Sequence, residues 1–99
     1  MARDLYHLVR EALINAARHG AASVAEVRLA APEAGIIAMS IGDNGKGFEF
    51  TGRYTAEDLA RLELGPRTLR ERVAAMHGSL TLESSPAGAE VYIVLPAAA

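Results

Sequence analysis

Asp43-Asn44-Gly45-Lys46-Gly47-Phe48 follows directly on the apolar run from Ile36 to Ile41, and this junction decides the fold. Ile36 to Ile41 is apolar enough to be a central strand. An acid at the end of such a strand, followed at once by two glycines, suits a small heteroaromatic ring. One carboxylate would hold the ring while the chain bends closely around it, since Gly45 and Gly47 allow positive φ and a close backbone approach. The simpler reading of Asn44-Gly45 is a type I′ hairpin turn. No alternating strand follows within a few residues, however; Gly52, Thr55 and a helical pattern come instead. A calcium loop would need a run of acidic ligands and a closing glutamate, and a Walker A loop would need Ser or Thr after Lys46.

Working outward, Gly42 to Arg53 reads as a glycine-rich loop. Thr55 and Asp58 have the spacing of a capping box and open a short helix through about Leu62. Pro66 suits the first turn of another helix, which runs to about His77 with Leu69, Val73 and Met76 on one side and stops at Gly78. Ser79 to Ser84 and Glu90 to Leu95 alternate as strands around Pro86-Ala87-Gly88, a hairpin signal. Upstream, Asp4 to about Arg18 is a helix, because Leu5, Leu8, Val9, Ala12 and Ala16 recur at helical spacing. Val24 to Leu29 is a strand and Pro32 to Gly35 a turn. The order implies an α+β domain: a two-layer sandwich of about four strands, mixed but mostly antiparallel, with the helices on one face.

The first helix carries a second polar constellation. With 100° per residue, Glu11, Asn15, Arg18 and His19 fall within an arc of about 100° that borders the apolar stripe. An acid, an amide, a guanidinium and an imidazole beside a buried face can line a cleft. Glu11 and Asn15 offer oxygen to a Mg²⁺ ion, and Arg18 and His19 can approach phosphate oxygens. The same residues also suit an ordinary solvated helix face, with His19 favourable at the helix C-terminus. Gly65-Pro66-Arg67-Thr68 opens a later helix, where free amides, Arg67 and Thr68 are donors for phosphate. Arg70, Glu71 and Arg72 read first as a solvated face. A carboxylate at Asp43 can accept from the exocyclic amine of adenine, whereas guanine presents a carbonyl there. Together the two constellations point to an ATP site.

At 99 residues the chain is one domain, and a formal charge of −2 argues against a broad nucleic-acid surface. There is no cysteine, which excludes disulfides and thiolate metal sites. No apolar run approaches the ~20 residues of a membrane span, and the N-terminus lacks a signal-peptide pattern. No direct membrane contact is expected.

In this order the pieces resemble the ATP-binding domain of sensor histidine kinases, in the superfamily shared with gyrase B and MutL. Arg10 to His19 is similar to the N box of that family, and Asp43-x-Gly45-x-Gly47 to its G1 box. Leu64 to Val73, with Gly78 and the terminal hairpin after it, resembles the G2 region of the short-lid subfamily of nitrate- and desaturase-sensing kinases. The resemblance covers nearly the whole chain. It implies a Bergerat-type sandwich with ATP between the helical layer and a lid formed by about Phe50 to Leu64. In that scheme Asn15 is the Mg²⁺ ligand, and Glu11 orients a water or acts as the catalytic base. Asp43 holds adenine, Gly45 and Gly47 shape the loop, Arg18 and His19 lie near the phosphates, and Gly65, Arg67 and Thr68 close the phosphate end. Glu63 is a departure, because the family often has glycine there.

The resemblance further implies that residues 1–99 are an excised C-terminal ATPase domain. Its cofactors are ATP and Mg²⁺. Its partners are the dimerisation and phosphoacceptor helices of the same kinase and, through the full-length protein, a response regulator. The location is cytoplasmic, with a parent protein that is free or membrane-anchored. His7, His19 and His77 do not sit in a phosphoacceptor motif, so the target histidine is expected on a separate helix. Two other functions suit the same fold: an anti-sigma-factor serine kinase, and a module that has lost nucleotide binding, for which Glu63 is the argument.

Overall fold

The computed structural model describes residues 2–19 and 23–96; the side chains at positions 2, 15, 16, 18 and 19 lie outside that description. The chain begins with α1 (Ala2–His19). Its apolar stripe does what helical spacing requires: Leu8 and Ala12 are buried, and Leu5 and Val9 pack beside them.

The hairpin of β1 (Ala25–Glu33) and β2 (Ile36–Asp43) follows. The first strand outlasts the expected turn at Pro32, and only Ala34 and Gly35 turn the chain. Pro32 falls where the register shifts between Ala30 and Glu33. A bulge on an edge strand tolerates a missing N–H. Next come β3 (Gly52–Thr55), α2 (Ala56–Leu62), α3 (Arg67–Ala75), β4 (Ser79–Ser85) and β5 (Gly88–Pro96). The strands form one sheet in the order β1-β2-β5-β4-β3. Every described pairing is antiparallel. The sheet has one strand more than expected. The addition is β3, which lies in the segment read as loop and lid. Gly-Arg-Tyr-Thr is too short and too polar to announce a strand, and pairing with β4 creates it.

Strand alternation sets the layers. Met39 and Ile41 of β2, Leu80 and Leu82 of β4, and Val91, Ile93 and Leu95 of β5 are buried against Leu8, Leu59, Leu69 and Val73 of the helices. The intervening residues Ser40, Thr81, Glu83 and Tyr92 face the other side. There Arg53 pairs with Glu83 and lies 5.8 Å from the Tyr92 ring centroid. Burial and the neighbouring Glu90 and Glu83 push the Tyr92 hydroxyl above its ordinary pKa.

The helix ends hold one confirmation and one correction. At α2 the capping box is complete: Thr55 Oγ1 accepts from the Asp58 N–H, and Asp58 Oδ2 accepts from the Thr55 N–H at 3.0 Å. At the end of α3 the left-handed residue is His77, φ 60°, and not the expected Gly78. Gly78 is required for space: a Cβ there would lie 2.5 Å from Leu95 Cδ2 and 2.8 Å from the Val94 carbonyl oxygen.

Candidate functional site

Asp43 is the last residue of β2, and its parity with Met39 and Ile41 puts its side chain on the helix-covered face. Its Oδ1 accepts the Gly45 N–H at 2.8 Å, so the carboxylate already shapes the loop that follows. Asn44 ties the loop to the start of β1. Its Oδ1 accepts the N–H groups of Ser23 and Val24 at 3.1 and 2.9 Å, and its Nδ2 donates to Ser23 Oγ at 2.9 Å. In the sequence, Asn44 reads only as half of a turn. The detectable signal was the general habit of Asx side chains to satisfy nearby backbone donors.

Beyond Asn44 the loop lies against the β4–β5 hairpin. Gly45 is buried without positive φ, so of the two loop glycines only Gly47, φ 73°, uses the left-handed region. A Cβ on Gly47 would lie 2.2 Å from the Ser85 carbonyl oxygen and 2.7 Å from Ser84 Oγ. Ser84, itself buried, accepts the Phe48 N–H at 2.8 Å. Sequence reasoning missed Ser84, because a serine in an alternating strand carries no mark of the loop it will meet. Phe48 then stacks on Phe50 at 5.3 Å between centroids, and Phe50 meets the edge of Tyr54 at 5.0 Å. These rings pack against the core and anchor the first part of the segment expected to be a lid.

Gly47 to Phe50 form one side of a cavity of about 530 Å³, and Glu63 to Pro66 form the other. Two segments more than a dozen residues apart thus share one hollow, of a volume suited to a small-molecule ligand. Gly65 has φ 78°. Glu63 closes α2 in the left-handed conformation, φ 55° and ψ 43°. Its N–H donates to the Ala60 carbonyl at 3.3 Å, and the Leu64 N–H to that of Leu59 at 2.9 Å. Pro66 is the N-cap of α3 and supplies no side-chain cap. Arg67 turns along its helix to Glu71, Nε to Oε2 3.1 Å, and borders a neighbouring hollow of about 410 Å³ that shares Glu63, Leu64 and Gly65. Thr68 is exposed in the first turn of α3.

The first helix joins this layer through Glu11. The Glu11 side chain is only 28% exposed, and its Oε1 lies 3.7 Å from Arg72 Nη2 on α3. The expectation of a solvated Arg70–Arg72 face is therefore corrected: Nε of both arginines is buried and without a hydrogen-bond partner among the described residues. Asn15, Arg18 and His19 belong to α1, but their side chains lie outside the described residues. What the structure brings together in one hollow is Gly47 and Gly65. Asp43 is tied to the loop through the Gly45 N–H and borders a separate hollow of about 290 Å³, and Glu11 is held to α3.

Gly47 leaves no room for a side chain beside a cavity whose size suits a small-molecule ligand. Glu11 offers a hard oxygen donor of the kind Mg²⁺ takes.

The profile of the family described as histidine kinase-, DNA gyrase B-, and HSP90-like ATPase matches residues 1–99. The chain is 35% identical over 95 residues to the sensor histidine kinase MctS of Rhizobium johnstonii, covering 96% of this chain and 20% of MctS. It is 34% identical over 92 residues to the sensor histidine kinase NarS of Mycobacterium tuberculosis, covering 93% of this chain and 21% of NarS. The chain thus spans about a fifth of the length of these curated relatives. The histidine kinase domain of the blue-light activated histidine kinase EL346 from Erythrobacter litoralis superposes with a TM-score of 0.66 at 24% identity, over 95% of this chain and 46% of that one. This last likeness is one of fold.

Proposed function

Because the chain belongs to the histidine kinase-, DNA gyrase B-, and HSP90-like ATPase family, we propose that it is the ATP- and Mg²⁺-binding catalytic domain of a two-component sensor histidine kinase. The observation that carries the reading is the shared cavity, in which the loop after Asp43 meets the Gly65 segment across a long separation in sequence. In this reading Asp43 accepts the exocyclic amine of adenine, a charge-assisted bond worth about 1.5–3 kcal/mol. Gly47 keeps the loop free of a side chain, and Gly65 with the start of α3, including Arg67 and Thr68, borders the phosphate end.

Mg²⁺, when bound, supplies charge neutralisation on the phosphates, and Asn15 would hold it. Arg18 and His19 would offer donors to the phosphates. Glu11 orients a water or takes the proton of the incoming nucleophile, and Arg72 supports its carboxylate. The γ-phosphoryl group passes to an imidazole nitrogen on the dimerisation helices of the parent kinase. The P–N bond forms as the bond to the leaving ADP oxygen breaks, and a response regulator takes the phosphoryl group onward. Catalysis of this kind is positioning plus electrostatics. The domain works in the cytoplasm, where its nucleotide is. Residues 1–99 form the C-terminal ATPase unit of that parent.

The test is Asp43→Asn. Asparagine keeps an oxygen for the Gly45 N–H, so the loop and the melting temperature should persist. Affinity for a non-hydrolysable ATP analogue should fall at least about tenfold, or 1.4 kcal/mol. Calorimetric titration of both proteins measures it, and an unchanged affinity removes Asp43 from the site.

A further inference from the structure

Glu63 occupies a conformation suited to glycine, and it borders the cavity. Its φ of 55° and ψ of 43° cost an L-residue about 1–2 kcal/mol. The backbone is nevertheless fixed there by the two hydrogen bonds that end α2, a helix whose Leu59 is fully buried in the core. The backbone that carries the exposed carboxylate is therefore fixed in the cavity wall. Glu49 lies on the opposite side of the same hollow. Among the described residues neither glutamate forms an ion pair; Arg61 pairs with Asp58 at 3.3 Å and Arg67 with Glu71 at 3.1 Å, while Arg70 borders the neighbouring hollow together with Glu63. Glu63 and Glu49 thus put two carboxylates at the cavity that no ion pair among the described residues neutralises.

We propose that Glu63 selects the charge state of the nucleotide. Its carboxylate opposes an adenine nucleotide whose phosphate tail lacks a divalent cation, and it tolerates the same nucleotide once the cation is present. The inference rests on the nucleotide reading of this site and adds a residue that decides which form enters. Its physics is like-charge repulsion at a partly solvated distance, which acts on the tail and not on the purine. A divalent cation removes the repulsion and is itself attracted to carboxylate oxygen. Glycine at this position would accept the backbone geometry and lose the selection.

The experiment titrates the wild-type chain, Glu63→Gln and Glu63→Gly by calorimetry at low salt with adenosine, ADP and ATP, each with Mg²⁺ and with EDTA. Glu63→Gln should raise the affinity for metal-free ATP about fivefold, and for metal-free ADP by less. Adenosine and Mg²⁺-bound ATP should stay within about twofold, and added salt should shrink the gain, because exposed charges are screened. Glu63→Gly should show the same dependence on ligand charge. An equal gain for every ligand would assign the effect to backbone strain and overturn the proposal, as would unchanged metal-free ATP affinity in a chain that binds Mg²⁺-bound ATP. No saturable binding of any ligand by all three proteins would overturn the nucleotide reading itself, a result distinct from either of those.

Discussion

Gly47 and Glu63 border the same cavity and share a left-handed backbone, φ 73° and φ 55°, but for opposite reasons. At Gly47 the space is gone: the Ser85 carbonyl oxygen stands 2.2 Å from where a Cβ would be. At Glu63 the space is open and the conformation follows from how α2 ends. The first wall is set by tertiary contact with the β4–β5 hairpin and tolerates one residue type. The second is set by local hydrogen bonds and tolerates any residue that can bear the strain. A binding site can thus have one invariable wall and one adjustable wall within the same hollow.

The largest expected effect breaks the first wall. Gly47→Ala adds left-handed strain of about 1–2 kcal/mol to an overlap with backbone oxygen that forces the loop from Ser84. The sum is a destabilisation of about 3–5 kcal/mol. Chemical denaturation of the variant measures it. A loss below about 1 kcal/mol would mean that the loop moves freely away from the hairpin, and the contrast with Glu63 would disappear.

The sequence disclosed the parts of this site that depend on local chemistry. Asp43 at a strand end, the capping box of Thr55 and Asp58, and the apolar stripe of α1 are each legible from spacing, because a helix or a strand imposes its period on its own residues. The two-layer α+β arrangement follows from the order of those elements. What stayed hidden depends on residues distant in sequence. Ser84 is an ordinary strand serine until the loop delivers the Phe48 N–H to it. Arg72 resembled a solvated cation until α1 brought Glu11 to within 3.7 Å. β3 is a strand only because β4 offers it an edge. The pairing of Asn44 with Ser23 and Val24 is hidden for the same reason.

The next effect sharpens the second wall. Glu63→Gly keeps the backbone and removes the Cβ penalty, against which stands the larger chain entropy of glycine in the unfolded state. Left-handed helix ends favour glycine, so the balance is a stabilisation of about 0.5–1 kcal/mol, or a few degrees in melting temperature for a domain of this size. Calorimetry of the nucleotide-free chain reads it. A lower melting temperature would mean that the glutamate side chain contributes packing that outweighs its strain.

The smallest effect concerns the other end of α2. Asp58 lies below its ordinary pKa of 3.8, first because it accepts the Thr55 N–H, then through the Thr55 hydroxyl and Arg61. A carboxyl group with a depressed folded-state pKa contributes stability that is complete above the unfolded value. That contribution drains away as pH falls through the folded value. The melting temperature of the wild-type chain should therefore decline, as pH falls below about 4, by more than that of Asp58→Asn. Asparagine retains an oxygen for the Thr55 N–H but cannot titrate. Because Asp58 sits on a screened surface, the difference should be small and should diminish further in salt. Parallel acid limbs for the two proteins would show that the capping box holds α2 through geometry alone. The rigidity of the Glu63 wall would then rest on the burial of Leu59 and not on charge at either end of the helix.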